Sequence, residues 1–203
     1  MTLKDSGSVR PLADDRRCRL PGTLLTNMKS PEVYAAIRDG LGPSLKSLGF
    51  RREKAFLSWS REHKGQQTVV WCQVSRDGWD AYAGSKFVVE LQRSDSAQPG
   101  APSSARARLA KFLTDDQRSE AWRIQSQVIA SLSRPPPTHP VLHVSPDVKR
   151  WYLENFEPLR GAYGPNDDLW LRYAQVAHVD TWADFLRQVV PGCVEAVEAA
   201  RDD

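Results

Sequence analysis

Gln66-Gln67-Thr68-Val69-Val70-Trp71-Cys72-Gln73-Val74-Ser75 has the composition of a β-strand, rich in β-branched and aromatic residues and bounded by turn signals. Side chains alternate faces along a strand, so Thr68, Val70, Cys72 and Val74 share one face, and Val69, Trp71, Gln73 and Ser75 the other. The first set is the more uniformly apolar and is expected to face the core. Two further runs of strand composition flank it, residues 50 to 60 and residues 85 to 92. In the latter Phe87, Val89 and Leu91 oppose Lys86, Val88, Glu90 and Gln92. The connection Glu62-His63-Lys64-Gly65 is short enough for a hairpin. Residues 76 to 84 form a wider loop that holds Asp77-Gly78, Gly84 and an aromatic pair, Trp79 and Tyr82.

A sheet with one apolar face needs a helical layer over it, and helix signals lie on both sides of the strands. Ser30, Pro31 and Glu32 start a helix in which Val33, Ile37, Leu41, Leu45 and Leu48 recur at helical spacing; Gly40, Gly42 and Pro43 are expected to kink or split it. Residues 94 to 105 form a polar connection, and residues 106 to 113 read as a short helix. Thr114-Asp115-Asp116-Gln117 fits a capping box opening a helix to about residue 132, which Pro135-Pro136-Pro137 ends as a stiff spacer. Ser145-Pro146-Asp147 repeats the start chemistry ahead of Trp151, Leu153, Phe156 and Leu159. Residues 169 to 176 read as a short strand or the start of a helix, the strand being favoured, and Asp180 as the cap of a last helix bent or broken at Pro191-Gly192.

The expected fold is therefore α+β: a small antiparallel sheet of three to four strands, from residues 50–92 with 169–176, covered on one face by N-terminal and C-terminal helices. Residues 1–29 read as a leader and residues 30–203 as a single domain with a helical C-terminal half. Met28 stands directly before the first helix start, so a natural start there is a further expectation.

No apolar run approaches the roughly 18 residues that span a bilayer, and Pro11, Asp14, Asp15 and Arg16 interrupt any secretory signal. The expected location is cytoplasmic, without membrane contact. Three scattered cysteines, Cys18, Cys72 and Cys193, form no CxxC pair and read as free thiols. Six bases and three acids lie in residues 1 to 29, which accounts for the whole net charge of +3 and leaves the body neutral. A folded nucleic-acid-binding surface usually leaves a net positive footprint.

No phosphate loop, nucleophile elbow or HExxH motif occurs. His139 and His143 flank Pro140 with no third ligand in view, so neither metal nor cofactor is expected. Three classes of function remain. The first is a non-enzymatic module that binds another protein, in the manner of an immunity protein or antitoxin. Its contact residues would be Arg76, Asp77, Trp79 and Tyr82 in the loop, beside Trp71, Gln73 and Ser75 on the sheet, because rigid aromatic residues with polar neighbours have anchor composition; the alternative for Trp79 is a ring folded back to cap the open sheet face beside Trp71. The second is an enzyme using Glu90, Gln73 and Ser75 on the open sheet face. The third is nucleic-acid binding by the leader and the basic first hairpin, Arg51, Arg52, Lys54, Arg61 and Lys64, with Trp59 and Trp71 as stacking platforms. Trp71, Trp122, Trp151 and Trp182 are expected in the core.

Leu45-Lys46-Ser47-Leu48-Gly49-Phe50-Arg51-Arg52, then Phe56, then Gln73-Val74-Ser75 and a strand opening at Phe87 resemble the bacterial domain-of-unknown-function 4304 family over residues 30 to 93. The chain departs from that pattern at Trp71 and at Val89-Glu90-Leu91. The resemblance implies a small cytoplasmic α+β protein and supplies no activity.

Overall fold

The computed structural model describes residues 28–200 apart from 55 and 104. The leader up to residue 27, including Cys18, lies outside the described residues. In chain order the elements are α1 (Ser30–Ser47), β1 (Arg51–Arg52), β2 (Leu57–His63), β3 (Gln66–Val74), β4 (Ser85–Ser94), β5 (Ala105–Arg108), α2 (Asp115–Ser131), α3 (Pro146–Leu153), β6 (Leu171–Tyr173) and α4 (Val176–Ala199). The fold is α+β, and every strand pairing is antiparallel. The sheet order is β1-β2-β3-β4-β5, with β6 also on β4.

The alternation read in β3 holds. Val70, Cys72 and Val74 enter the hydrophobic core with Phe87, Val89 and Leu91 of β4, under apolar residues of α1 and α4. β2 and β3 meet through Lys64-Gly65, both with positive φ, and pair His63 with Gln66. That is the two-residue turn whose twist matches the flanking strands. The opposite sheet face is not open as expected: Val69, Trp71, Val88, Glu90 and Gln92 are all buried. The polar connection after β4 folds back here, since Gln92 Nε2 donates to the Gln98 carbonyl at 3.1 Å and Gly100 N–H donates to Gln92 Oε1 at 2.8 Å.

The sheet has six strands where three to four were expected, and β5 replaces the helix read at residues 106 to 113. In Ala105-Arg106-Ala107-Arg108 the strand period puts both arginines on one face. Arg106 donates to Glu90 at 2.9 Å, and Arg108 Nε lies 3.6 Å from the same carboxylate. A buried carboxylate needs such partners, and that requirement overrides local helix propensity. Only a short 3-10 turn, Leu109–Phe112, remains of the expected helix.

α1 starts after Lys29 rather than Ser30 and runs through Pro43 unbroken. Gly40 belongs to its packing against α4: a Cβ there would lie 2.5 Å from Ala183 Cβ, so the glycine lets the two helices approach closely. α4 begins four residues before Asp180 and continues past Pro191 to Ala199. Its early start has a local cause, because His178 Nδ1 accepts the Ala174 N–H at 3.1 Å. Burial lowers the pKa of His178 and so keeps that nitrogen an acceptor.

The C-terminal end of α4 is clamped to the first hairpin. Glu198 accepts two hydrogen bonds from Arg61, at 2.8 and 2.6 Å, and one from Thr68 Oγ1 at 2.8 Å. Burial alone would raise the pKa of Glu198, but the hydrogen bonds from Arg61 and Thr68, with the charges of Arg61 and His63, hold it below the usual value. A depressed carboxylate contributes stability above its unfolded pKa, roughly 4.3, and loses it as pH falls through the folded value. Glu198→Ala is expected to cost about 3 kcal/mol at pH 7. Urea denaturation from pH 7 to pH 3 should show the variant losing less stability over that range than the parent; parallel profiles would refute the clamp.

A candidate binding cavity beside the 76–84 loop

The loop between β3 and β4 is built on Asp80. Asp80 and Gly84 exchange two backbone hydrogen bonds of 2.9 Å. Oδ1 of Asp80 also accepts the N–H groups of Tyr82 (2.8 Å) and Ala83 (2.7 Å), and the Tyr152 hydroxyl from α3 at 2.7 Å. Three donors on one carboxylate oxygen fix the loop and tie it to α3. Burial first, then the hydrogen bond to Asp80 and its charge, push the Tyr152 pKa up, so the hydroxyl stays a donor. His139 stacks on Tyr152 with ring centroids 5.4 Å apart, and Tyr82 meets His139 edge-on at 5.2 Å. Gly84 makes the other close approach. Its φ is +66°, and a Cβ would sit 2.1 Å from the Tyr173 carbonyl of β6.

Between this loop, β6 and α3 lies a cavity of about 190 Å³. Asp77, Asp80, Lys86 and Arg172 supply its charges, and Val141 and Trp151 part of its apolar wall. Lys86 and Arg172 are directly opposite in the β4–β6 register and therefore share a face. Lys86 Nζ lies 3.3 Å from Asp77 and 5.2 Å from the centroid of the Trp170 ring. Asp77 accepts from Ser75 Oγ at 2.9 Å, and that bond first, with Lys86, lowers its pKa despite some burial. Arg172 Nη1 donates to the Asn155 carbonyl at 3.1 Å, and burial lowers its pKa.

The residues singled out in the sequence are divided by the structure. Ser75 and Asp77 line this cavity. Trp71, Gln73 and Arg76 border a separate groove with Phe56, which is 63% exposed. Tyr82 braces His139. Trp79 is half-buried and packs against the core, with its indole N–H enclosed without a partner among the described residues. Trp151, expected in the core, is 52% exposed at the cavity rim, because α3 turns Tyr152 inward and the 3-10 turn after it, Glu154–Phe156, turns Phe156 inward instead. Trp122 is only half-buried. A spacing of four between Tyr152 and Phe156 was the available signal for that face.

The constellation Glu90, Gln73 and Ser75 does not assemble, since Glu90 is occupied by Arg106 and Arg108 and Ser75 by Asp77. The basic hairpin offers no stacking platform. Trp59 is buried beneath Arg52, Trp71 is buried with Arg106 over its ring at 5.5 Å, and Arg61 serves Glu198. Among the described residues no cluster of three or more His, Cys, Asp or Glu is placed to hold a metal, and no helix is long and apolar enough to cross a membrane.

The site is thus a small charged cavity on an α+β scaffold. Comparison with family models, with curated proteins and with solved structures finds no match to this chain.

Trp79→Ala is expected to lose roughly 3 kcal/mol of stability, the usual cost of emptying an aromatic site in a core. Tyr152→Phe should lose about 2 kcal/mol, as for a hydrogen bond to a charged group. Chemical denaturation reads both, and a Trp79 variant as stable as the parent would return that ring to the surface.

Proposed function

We propose that this chain is a non-enzymatic binding protein that docks another protein, in the manner of an immunity protein or antitoxin, through the face formed by the 76–84 loop and α3. The observation that carries the reading is Trp151, a half-exposed indole on the rim of a charged cavity. Large aromatic side chains dominate binding energy when a partner buries them, and polar neighbours orient the contact. Val144, 67% exposed, adds apolar surface just upstream in the chain. The clamp on Asp80 supports the reading as well: a loop already held by three donors loses little entropy on binding.

The exposed Asp77 frames this face, while Arg76 belongs to the separate groove and Trp79 is assigned to the scaffold rather than to the contact. A cytoplasmic location goes with the reading. Cys72 and Cys193 are free and buried, and burial pushes both thiols up to about 12, as suits inert cysteines.

The test is co-expression with the proteins encoded by adjacent genes, followed by affinity measurement on any complex recovered. Trp151→Ala should cost roughly 2 kcal/mol of affinity, about thirtyfold in Kd, with the melting temperature nearly unchanged. If no neighbouring product binds, or the variant binds at full strength, the assignment of this face fails.

A further inference from the structure

We propose that the cavity beside the 76–84 loop binds a free α-amino acid with an apolar side chain, its carboxylate between Lys86 and Arg172, its ammonium at Asp80 and its side chain against Trp151 and Val141.

The first support is the register. Lys86 and Arg172 face each other across β4 and β6, and both line the cavity. Like charges directly opposite each other destabilise a sheet. Lys86 has Asp77 beside it, but among the described residues Arg172 forms no ion pair; its guanidinium donates to one carbonyl, and a planar fork with five donors has capacity left. A carboxylate between the two cations satisfies both, and guanidinium groups take carboxylates bidentately.

The second support is the opposite wall. Oδ1 of Asp80 is saturated by three donors, whereas Oδ2 makes no hydrogen bond among the described residues; the His139 Nε2 atom is 3.8 Å away. Asp77 adds a second carboxylate to the lining. Two cations and two anions leave the lining neutral, so the best-matched ligand carries one charge of each sign. A phosphate ester would bring up to two negative charges against two carboxylates.

Size and polarity complete the assignment. A 190 Å³ cavity is a little larger than the roughly 150 Å³ that admits benzene, and so suits a ligand of six to ten heavy atoms, a range that includes leucine. Trp151 and Val141 give that ligand an apolar wall.

Titration calorimetry on the purified full chain tests this without any partner protein, so its outcome is separate from that of the docking reading. L-Leucine, L-isoleucine and L-valine are the probes, with 4-methylpentanoate lacking leucine's ammonium, 3-methylbutylamine lacking its carboxylate, and inorganic phosphate. At least one amino acid should bind with Kd tighter than about 1 mM, and 4-methylpentanoate and 3-methylbutylamine at least about tenfold more weakly than that amino acid. Arg172→Gln should weaken binding about tenfold or more; should that variant not fold, Lys86→Met carries the same expectation from a half-exposed position. No heat from any amino acid at about 10 mM, equal binding of 4-methylpentanoate, tighter binding of phosphate, or unchanged affinity in the folded variants would each overturn the proposal.

Discussion

β4 runs through the middle of the sheet, and its backbone groups must be paired on both edges because water does not reach them. β3 satisfies one edge from Gln67 to Val74. The other edge is shared: β5 takes residues Glu90 to Arg93, and β6 takes Ser85 to Phe87. β6 is only three residues long, and its own outer edge is closed by side chains rather than by another strand. Gln125 of α2 donates to the Trp170 carbonyl at 3.0 Å and accepts the Arg172 N–H at 3.1 Å, while Trp182 of α4 donates to the Arg172 carbonyl at 2.7 Å. Pairing β4 thus also places two helices, and it leaves the short strand β6 with a covered edge.

The cavity follows from the same pairing. Leu171 and Tyr173 point into the core, so Arg172 must point the other way, beside Lys86. A slip of one residue would bury a guanidinium among leucines and expose Leu171, and the apolar cost of that slip holds the register. Gly84 is the counterpart on the loop side, where any side chain would collide with the Tyr173 carbonyl. Positions 86 and 172 are therefore held opposite each other by hydrophobic burial on the other face of the strand.

Much of the sheet was legible because its signal is local. Period-two alternation in residues 66 to 75 assigns the core face without knowledge of any neighbour, and Thr114 with Gln117 caps α2 through the reciprocal bonds that the capping box implies. What was not legible depends on distant partners. Ala105-Arg106-Ala107-Arg108 is a strand only because Glu90, fifteen residues back in the chain, requires its arginines. α1 passes Pro43 because its apolar stripe is buried against α4, and that burial outweighs one lost backbone bond. The exposure of Trp151 has the same origin. Which of two adjacent aromatics on α3 turns inward is decided by the Tyr152 bond to Asp80, seventy-two residues away in sequence.

Two buried ionic sets of this protein contrast with Arg172, and the difference bears on what the cavity can do. Glu198 with Arg61, and Glu90 with Arg106 and Arg108, are sets in which each buried carboxylate meets arginine at hydrogen-bond or ion-pair distance, and Arg108 pairs with Asp168 as well. Breaking such a set exposes a buried charge, so these groups belong to the scaffold. Arg172 is different. A backbone carbonyl accepts one of its protons but carries no net charge to balance it. Among the described residues no carboxylate pairs with that guanidinium to offset its desolvation. Any ligand that supplies the missing negative charge stabilises the folded chain by RT ln(1 + [L]/Kd), so occupancy of the cavity and stability of the β4–β6 pairing are linked quantities.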